Sequence, residues 1–191
     1  MSSIDKRKIE QKRVRRSIEE ALFALLKDQR FSEITVTDIV REANVARASY
    51  YRNFDSKEAI IKSYMAHQRQ EVADKIDFSE TFSDFFIQEK LIASLEHYLK
   101  QKYYILLLCD NGFDSLILDD MNKFAELFID NNPHSPFKDY KIQFLTGGIF
   151  NMTIQWLKNG AIESPRELSD IFIRLLRSDP HSLQYSSSVR L

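Results

Sequence analysis

The side chains of this 191-residue chain that could do covalent or metal chemistry are few and scattered. Cys109 is the single cysteine, and His67, His97, His134 and His181 stand far apart, with no H-E-x-x-H pattern and no cysteine pair to supply zinc-ligand spacing. Asp119-Asp120 and the histidines would be the only chemistry of an enzyme, and no pair among them has a recognisable catalytic spacing. The four glycines are Gly112, Gly147, Gly148 and Gly160, so the first 111 residues cannot form the glycine-rich phosphate loop of a dinucleotide fold or a P-loop. These observations predict no catalytic residue, no metal and no cofactor. What remains is cationic chemistry. Lys6–Arg16 carries Lys6, Arg7, Lys8, Lys12, Arg13, Arg15 and Arg16 against the single anion Glu10. Residues 1–57 hold 13 Lys/Arg against 9 Asp/Glu, whereas residues 58–191 hold 14 against 19. A basic front on an acidic body points to a nucleic-acid module joined to a second function.

The elements that must position those cations are helices. With no glycine before Gly112 and no proline before Pro133, the tight turns of a β-sandwich or barrel lack their usual residues. The composition, 43% hydrophobic and 12% aromatic, is sufficient for a real core. The longest apolar run, Tyr103–Cys109, is far short of the ~20 residues that span a bilayer, and the start has no apolar signal-peptide segment. A lone cysteine fits a reducing compartment, so a soluble cytoplasmic protein without a membrane partner is expected. Val14, Ile18, Ala21, Leu22, Leu25 and Leu26 form one stripe of 3.6-residue period, predicting a helix over about Lys6–Lys27.

After a short connection, Thr35 or Thr37 can cap a brief helix over Val36–Ala43. Asn44 tolerates a left-handed turn nearly as well as glycine, which would reverse the chain into a helix over Ala46–Phe54. Ser56 then caps a longer helix that runs towards Ile76. Two short helices joined by a tight turn and packed on a longer first one are a helix-turn-helix. Tyr50 and Phe54, four apart, should face inward with Val45 and Ile39.

The run ITVTDIVREANVARASYYRNFDSKEAI, Ile34–Ile60, resembles the DNA-binding signature of the TetR family of bacterial transcriptional regulators, with Tyr51-x-x-Phe54-x-Ser56-Lys57-Glu58 as its most specific part. The likeness covers about residues 10–62. Asn44 stands where the family usually has glycine, Ala46 where a capping serine is usual, and Ala48 where glycine or proline is common. Double-stranded DNA is thus the expected partner. In such a motif the N-terminal residues of the second helix reach base edges, here Ala46, Arg47, Ala48 and Ser49. Arg47 is expected to read a guanine, the alternative being a phosphate contact; Ala48 suits a thymine methyl, and Ser49 a base or a phosphate. The resemblance implies backbone-phosphate contacts for Tyr51 and Lys57, and DNA proximity for Thr35, Val36, Thr37 and Asn53. The Lys6–Arg16 segment then reads as an arm or helix end along phosphates.

Beyond about residue 78 the pattern continues as amphipathic helices over Phe82–Leu99, Gln101–Asp110, Ser115–Ile129, Phe137–Lys158 and Pro165–Arg177, with a loop at 131–136 and a serine-rich tail expected to be disordered. The expected fold is therefore all-α, about nine helices: a helix-turn-helix domain over 1–62, a larger regulatory and dimerisation domain over 63–178, and a tail over 179–191. Gly147–Leu168 resembles the final two helices of one branch of TetR-like regulators from Gram-positive bacteria, where they pair across a two-fold axis as a four-helix bundle. Gly147, Gly148, Met152, Trp156, Ile171 and Leu175 are the expected homodimer seam, with an ordinary intrachain core as the alternative. Two recognition helices must also reach half-sites ~34 Å apart. Family likeness implies a small-molecule effector pocket, for which Tyr103, Tyr104, Leu107, Cys109, Phe113, Phe144 and Met152 are candidates, each also suited to plain core. The expected function is a repressor released from a palindromic operator by an effector. Rivals are a ligand-independent regulator, an activator, or an all-helical enzyme or interaction module that does not bind DNA.

Overall fold

The computed structural model describes residues 3–74, 84–126 and 138–177. Among them are nine helices and no strand: α1 (Ser3–Leu25), α2 (Val36–Glu42), α3 (Arg47–Asn53), α4 (Lys57–Ala73), α5 (Asp84–Lys100), α6 (Lys102–Asp110), α7 (Asp114–Ala125), α8 (Lys138–Lys158) and α9 (Pro165–Arg177). The expected reach of a helix to Ile76, the start at Phe82, the extension to Ile129, the 131–136 loop and the 178–191 tail lie outside the described residues.

Local signals account for most helix ends. Thr35 caps α2 through a reciprocal box: its hydroxyl accepts from the Asp38 amide at 3.2 Å while the Asp38 carboxylate accepts from the Thr35 amide at 3.0 Å. Those bonds from Thr35 hold the Asp38 carboxyl below its ordinary range. Ser56 caps α4 by accepting from the Ala59 amide at 3.1 Å. Ser164 and Glu167 repeat the box at α9, with Pro165 at the first helical position. Each such cap contributes about 1 kcal/mol.

Three helices end in the same way. After α2 the Val45 amide reaches back to the Val40 carbonyl (3.1 Å) and Asn44 to Arg41 (3.2 Å). After α6, Phe113 bonds Leu108 and Gly112 bonds Cys109; after α8, Ala161 bonds Trp156 and Gly160 bonds Leu157. This paired 6→1 and 5→2 closure needs a left-handed residue. Gly112 (φ 79°) and Gly160 (φ 97°) supply it in the body, and Asn44 (φ 51°) supplies it between α2 and α3.

Helix α1 packs on α2, α3 and α4, and α4 passes from that group to α5 and α7; α5 packs on α9, and α7 on α8. Buried side chains form one continuous core from Ile18 and Leu22 through Ile61 and Met65 to Leu108, Leu157 and Phe172. Polar ties follow the same route. Glu19 of α1 faces His67 of α4 at 3.5 Å, and Arg69 of α4 pairs with Asp120 of α7.

Candidate nucleic-acid interface

Short helix α3 has to bury one face and leave the other free, and its sequence divides that way. Tyr50 and Phe54 sit in the core with Ile39, and burial raises the Tyr50 hydroxyl to about 12. Ala46, Arg47, Ala48 and Tyr51 are exposed on the other side, with Ser49 half-buried. Ala46 caps α3 with no side-chain hydrogen bond, as its methyl dictates.

Arg47 does not float in solvent. Its Nη1 donates to the Thr37 hydroxyl at 3.2 Å and its Nη2 to the Tyr51 hydroxyl at 3.1 Å, with the guanidinium 5.5 Å from the centre of the Tyr51 ring. Thr37 of α2 and Tyr51 of α3 therefore hold this long forked donor from two sides. Three side chains singled out for DNA contact from the sequence are thus one hydrogen-bonded cluster. A fork with five donors keeps N–H groups for a bidentate acceptor pair such as guanine O6 and N7.

The other expected contact residues are placed differently. The Thr35 hydroxyl is engaged in the α2 cap, and Val36 is half-buried beside it. Asn53 is half-buried and donates back to the Ser49 carbonyl at 2.7 Å. Lys57 is also half-buried: its ammonium donates to the carbonyls of Phe31 (2.5 Å) and Ile34 (2.7 Å) and lies 4.5 Å from the centre of the Phe31 ring. It braces the α1–α2 loop, a role the sequence did not suggest, and keeps one N–H for a phosphate.

Arg15 is a second surprise. Within the basic run it alone turns inward, donating to the Asn53 carbonyl (2.8 Å) and the Ser63 hydroxyl (2.7 Å) with its guanidinium over Phe54 at 4.3 Å. It locks α1 to the C-terminal end of α3 and to α4. Only its position on the same face as the α1 stripe could have flagged it. A third tie reaches the body: the Phe31 amide donates to the Asn111 side chain at 2.9 Å, and the Phe31 and Phe113 rings meet edge-on at 4.7 Å.

An exposed, pre-oriented arginine on a short helix behind a tight turn is the geometry of a major-groove reader. The sequence pattern described as bacterial regulatory proteins, tetR family, matches residues 18–64, and that of a transcriptional regulator C-terminal region matches residues 87–178. The chain belongs to the TetR family. TetR-family regulators are DNA-binding proteins rather than enzymes. It is similar to the uncharacterized HTH-type transcriptional regulator YxbF of Bacillus subtilis (strain 168), 24% identical over 179 residues that cover 91% of this chain. The chain spans only 46% of that relative's length. Two solved structures share the fold. The dihydroxyacetone kinase operon activator DhaS matches at 18% identity, with a TM-score of 0.56 over 85% of this chain and 93% of its own. The fatty acid degradation regulator FadR from Bacillus halodurans matches at 16% identity, with a TM-score of 0.55 over 85% and 94%.

In the body of this TetR-family chain, the seven residues expected to line an effector pocket do not surround one space. Tyr103 and Tyr104 are exposed, 51% and 37%, and pack towards Lys27, just past α1, and Phe23 of α1. Leu107 is half-buried, and Phe113 is taken up by Phe31. Cys109 is buried, and burial, with the Asp114 charge adding to it, pushes its thiol up to about 12, the opposite of a reactive thiolate. Phe144 is 73% exposed on α8. A small, partly open cavity lies elsewhere, between α4, α5 and α7: about 20 Å³, lined by Met65, Val72, Tyr98 and Phe124 together with Arg69 and Asp120. None of the seven expected residues borders it, and at that size it holds about one water.

Phe144 and Met152 instead line an open trough of about 420 Å³ between α8 and α9, together with Gly147, Gly148, Leu175 and Leu176. Ile171 is exposed on the same helix as Leu175. A Cβ on Gly147 would meet nothing within 4 Å, whereas one on Gly148 would touch Phe172 at 3.4 Å. Gly148 thus serves the α8–α9 packing of its own chain. Trp156 corrects the expected seam outright: it is 4% exposed and its Nε1 donates to the Glu163 carbonyl at 2.9 Å, so it closes the α8–α9 turn from inside. Among the described residues no helix is long and apolar enough to cross a membrane.

Proposed function

We propose that this chain is a cytoplasmic repressor that binds a palindromic operator as a homodimer and leaves it when a small-molecule effector binds the body. Residues 1–62 form the DNA-reading unit and residues 63–178 the regulatory and dimerisation unit. The observation that carries the DNA half is the Arg47–Thr37–Tyr51 cluster, an exposed guanidinium held ready at the N-terminal end of α3. Ala48 and Ser49 flank it towards the bases, while Tyr51 and the remaining N–H of Lys57 face phosphates. Support for the dimer is the open apolar trough between α8 and α9, where Phe144, Leu175 and Leu176 are exposed beside Met152, with Ile171 also exposed on α9. The effector half of the reading is supported by the family likeness of residues 87–178, since the cavity beside Arg69–Asp120 has room for only about one water. Any effector must bind one state better than the other, and moving a 1:99 equilibrium to 99:1 takes about 5.5 kcal/mol.

The test is selection of duplexes from a random pool. The full chain should enrich a two-fold symmetric site, and Arg47→Ala should relax preference at one symmetric base-pair position at a cost of about 1–3 kcal/mol in discrimination per half-site. Enrichment of no sequence, or an unchanged preference in Arg47→Ala, would overturn the reading.

A further inference from the structure

We infer that the effector is an uncharged, largely apolar small molecule bound at the subunit seam, in the α8–α9 trough closed by a second copy of this chain. The inference rests on the dimer and the effector release proposed above, and it names the site and the ligand class.

Size separates the two spaces in the body. The cavity between α4, α5 and α7 has room for about one water, whereas the trough, about 420 Å³, falls in the range of roughly 300–1,000 Å³ that small-molecule sites occupy. Phe144 and Met152 of α8 and Phe172, Leu175 and Leu176 of α9 line it. No lining residue is ionisable, so a charged group brought here would lose its water without gaining a counter-charge. The one polar side chain in the lining is Asn151. Its Nδ2 donates to the Gly147 carbonyl at 2.9 Å, which leaves Oδ1 to accept from a hydroxyl or an N–H.

Gly147 points to an occupant from outside the chain. A glycine in the middle of a helix weakens it, and a Cβ at this position would meet nothing within 4 Å, so packing within the chain does not account for the missing side chain.

One protomer leaves the trough open, yet small-molecule sites bury most of their ligand, so a cover is needed. Ile171, one turn before Leu175 on α9, is exposed without lining the trough, so the apolar surface continues past its edge. In a two-fold contact a patch meets its own copy. With the axis through the trough, a hollow faces a hollow and the space is enclosed rather than filled. A ligand held there lies between the subunits and sets the angle between them. That angle fixes the separation of the two reading helices, which must reach half-sites ~34 Å apart.

The test uses the full chain and N-phenylnaphthylamine, an uncharged apolar dye with one N–H that brightens when it leaves water. Sedimentation of the wild type comes first: a monomer at every concentration would sink the dimer reading and this site with it. The dimer should bind the dye saturably, and should bind the anionic relative anilinonaphthalene sulfonate about tenfold or more less tightly. No saturable binding overturns the site, and equal binding of the two dyes overturns the ligand class. Gly147→Leu fills the trough from an open position; it should stay helical by circular dichroism and dimeric, and bind the dye about tenfold or more less tightly. Unchanged dye affinity would refute the inference, and so would a monomer, because the partner's own side chains would then be what occupies the trough. Ile171→Glu alters the seam outside the lining. It should give a folded monomer with dye affinity reduced by about tenfold or more although every lining residue is intact. A monomer that binds the dye like wild type would put the site inside one protomer, and a variant that stays dimeric would put the seam on another face; either result overturns the shared site. Release of operator DNA by a compound that does not compete with the dye would leave effector release standing and overturn its placement at the seam.

Discussion

Lys57→Met removes three donors and keeps the apolar stem, which separates bracing of the α1–α2 loop from phosphate binding. In the structure the ammonium holds the Phe31 and Ile34 carbonyls at 2.5 and 2.7 Å and lies over the Phe31 ring. Leaving the carbonyls of half-buried Phe31 and buried Ile34 without a charged donor costs about 1 kcal/mol each, the low end of the range for an unsatisfied buried group. The lost cation–π contact adds about 0.5–1 kcal/mol. A total near 3 kcal/mol corresponds to a fall in Tm of about 6–12 °C for a chain of this size. Thermal melting without DNA reads the bracing alone, and titration with duplex well below the melting point reads what remains of DNA binding. If the third N–H also meets a phosphate, the salt slope should drop by about 0.9. A variant that melts within a degree of wild type yet binds DNA poorly would refute the bracing role and return Lys57 to the phosphate alone.

Other substitutions test the turn and the dimer. Asn44→Val places a β-branched residue at φ 51° and should destabilise the reading unit by about 1–2 kcal/mol in urea unfolding while the mass in solution stays dimeric; Asn44→Gly should be at least as stable as wild type. Equal stability of Val and Asn at 44 would mean that the turn is not held left-handed. Phe144→Glu puts a charge on the most exposed part of the α8–α9 trough and should yield a folded monomer by light scattering, whereas persistence of a dimer would place the seam on another face.

The helix ends were legible because they are settled within a few residues. Thr35, Ser56 and Ser164 bond amides three positions away, and at the Asn44 turn the amides of Asn44 and Val45 bond carbonyls three and five residues back. The inward set Ile39, Tyr50 and Phe54 follows from helical spacing, which leaves one face for Arg47. Arg15, Lys57 and Asn111 were not legible in the same way. Their partners lie 38, 26 and 80 residues distant, and a cation or an amide looks the same in sequence whether it faces water or a carbonyl. The body shows the limit most sharply. Phe144 and Trp156 are both aromatic residues on α8; one stands in solvent and the other is enclosed, and nothing in composition separates them.

The sequence alone determined that the chain is helical, that its front is a basic helix-turn-helix, and that the turn without glycine is made by Asn44. Those properties reside in periodicity, capping and the left-handed tolerance of one side chain, all local. Tertiary structure decided which cations are spent and which are available, which face of α8 and α9 is left apolar in water, and where the small cavity lies. Each depends on which surfaces of different helices meet, and packing energy is indifferent to the order in which the chain supplies them.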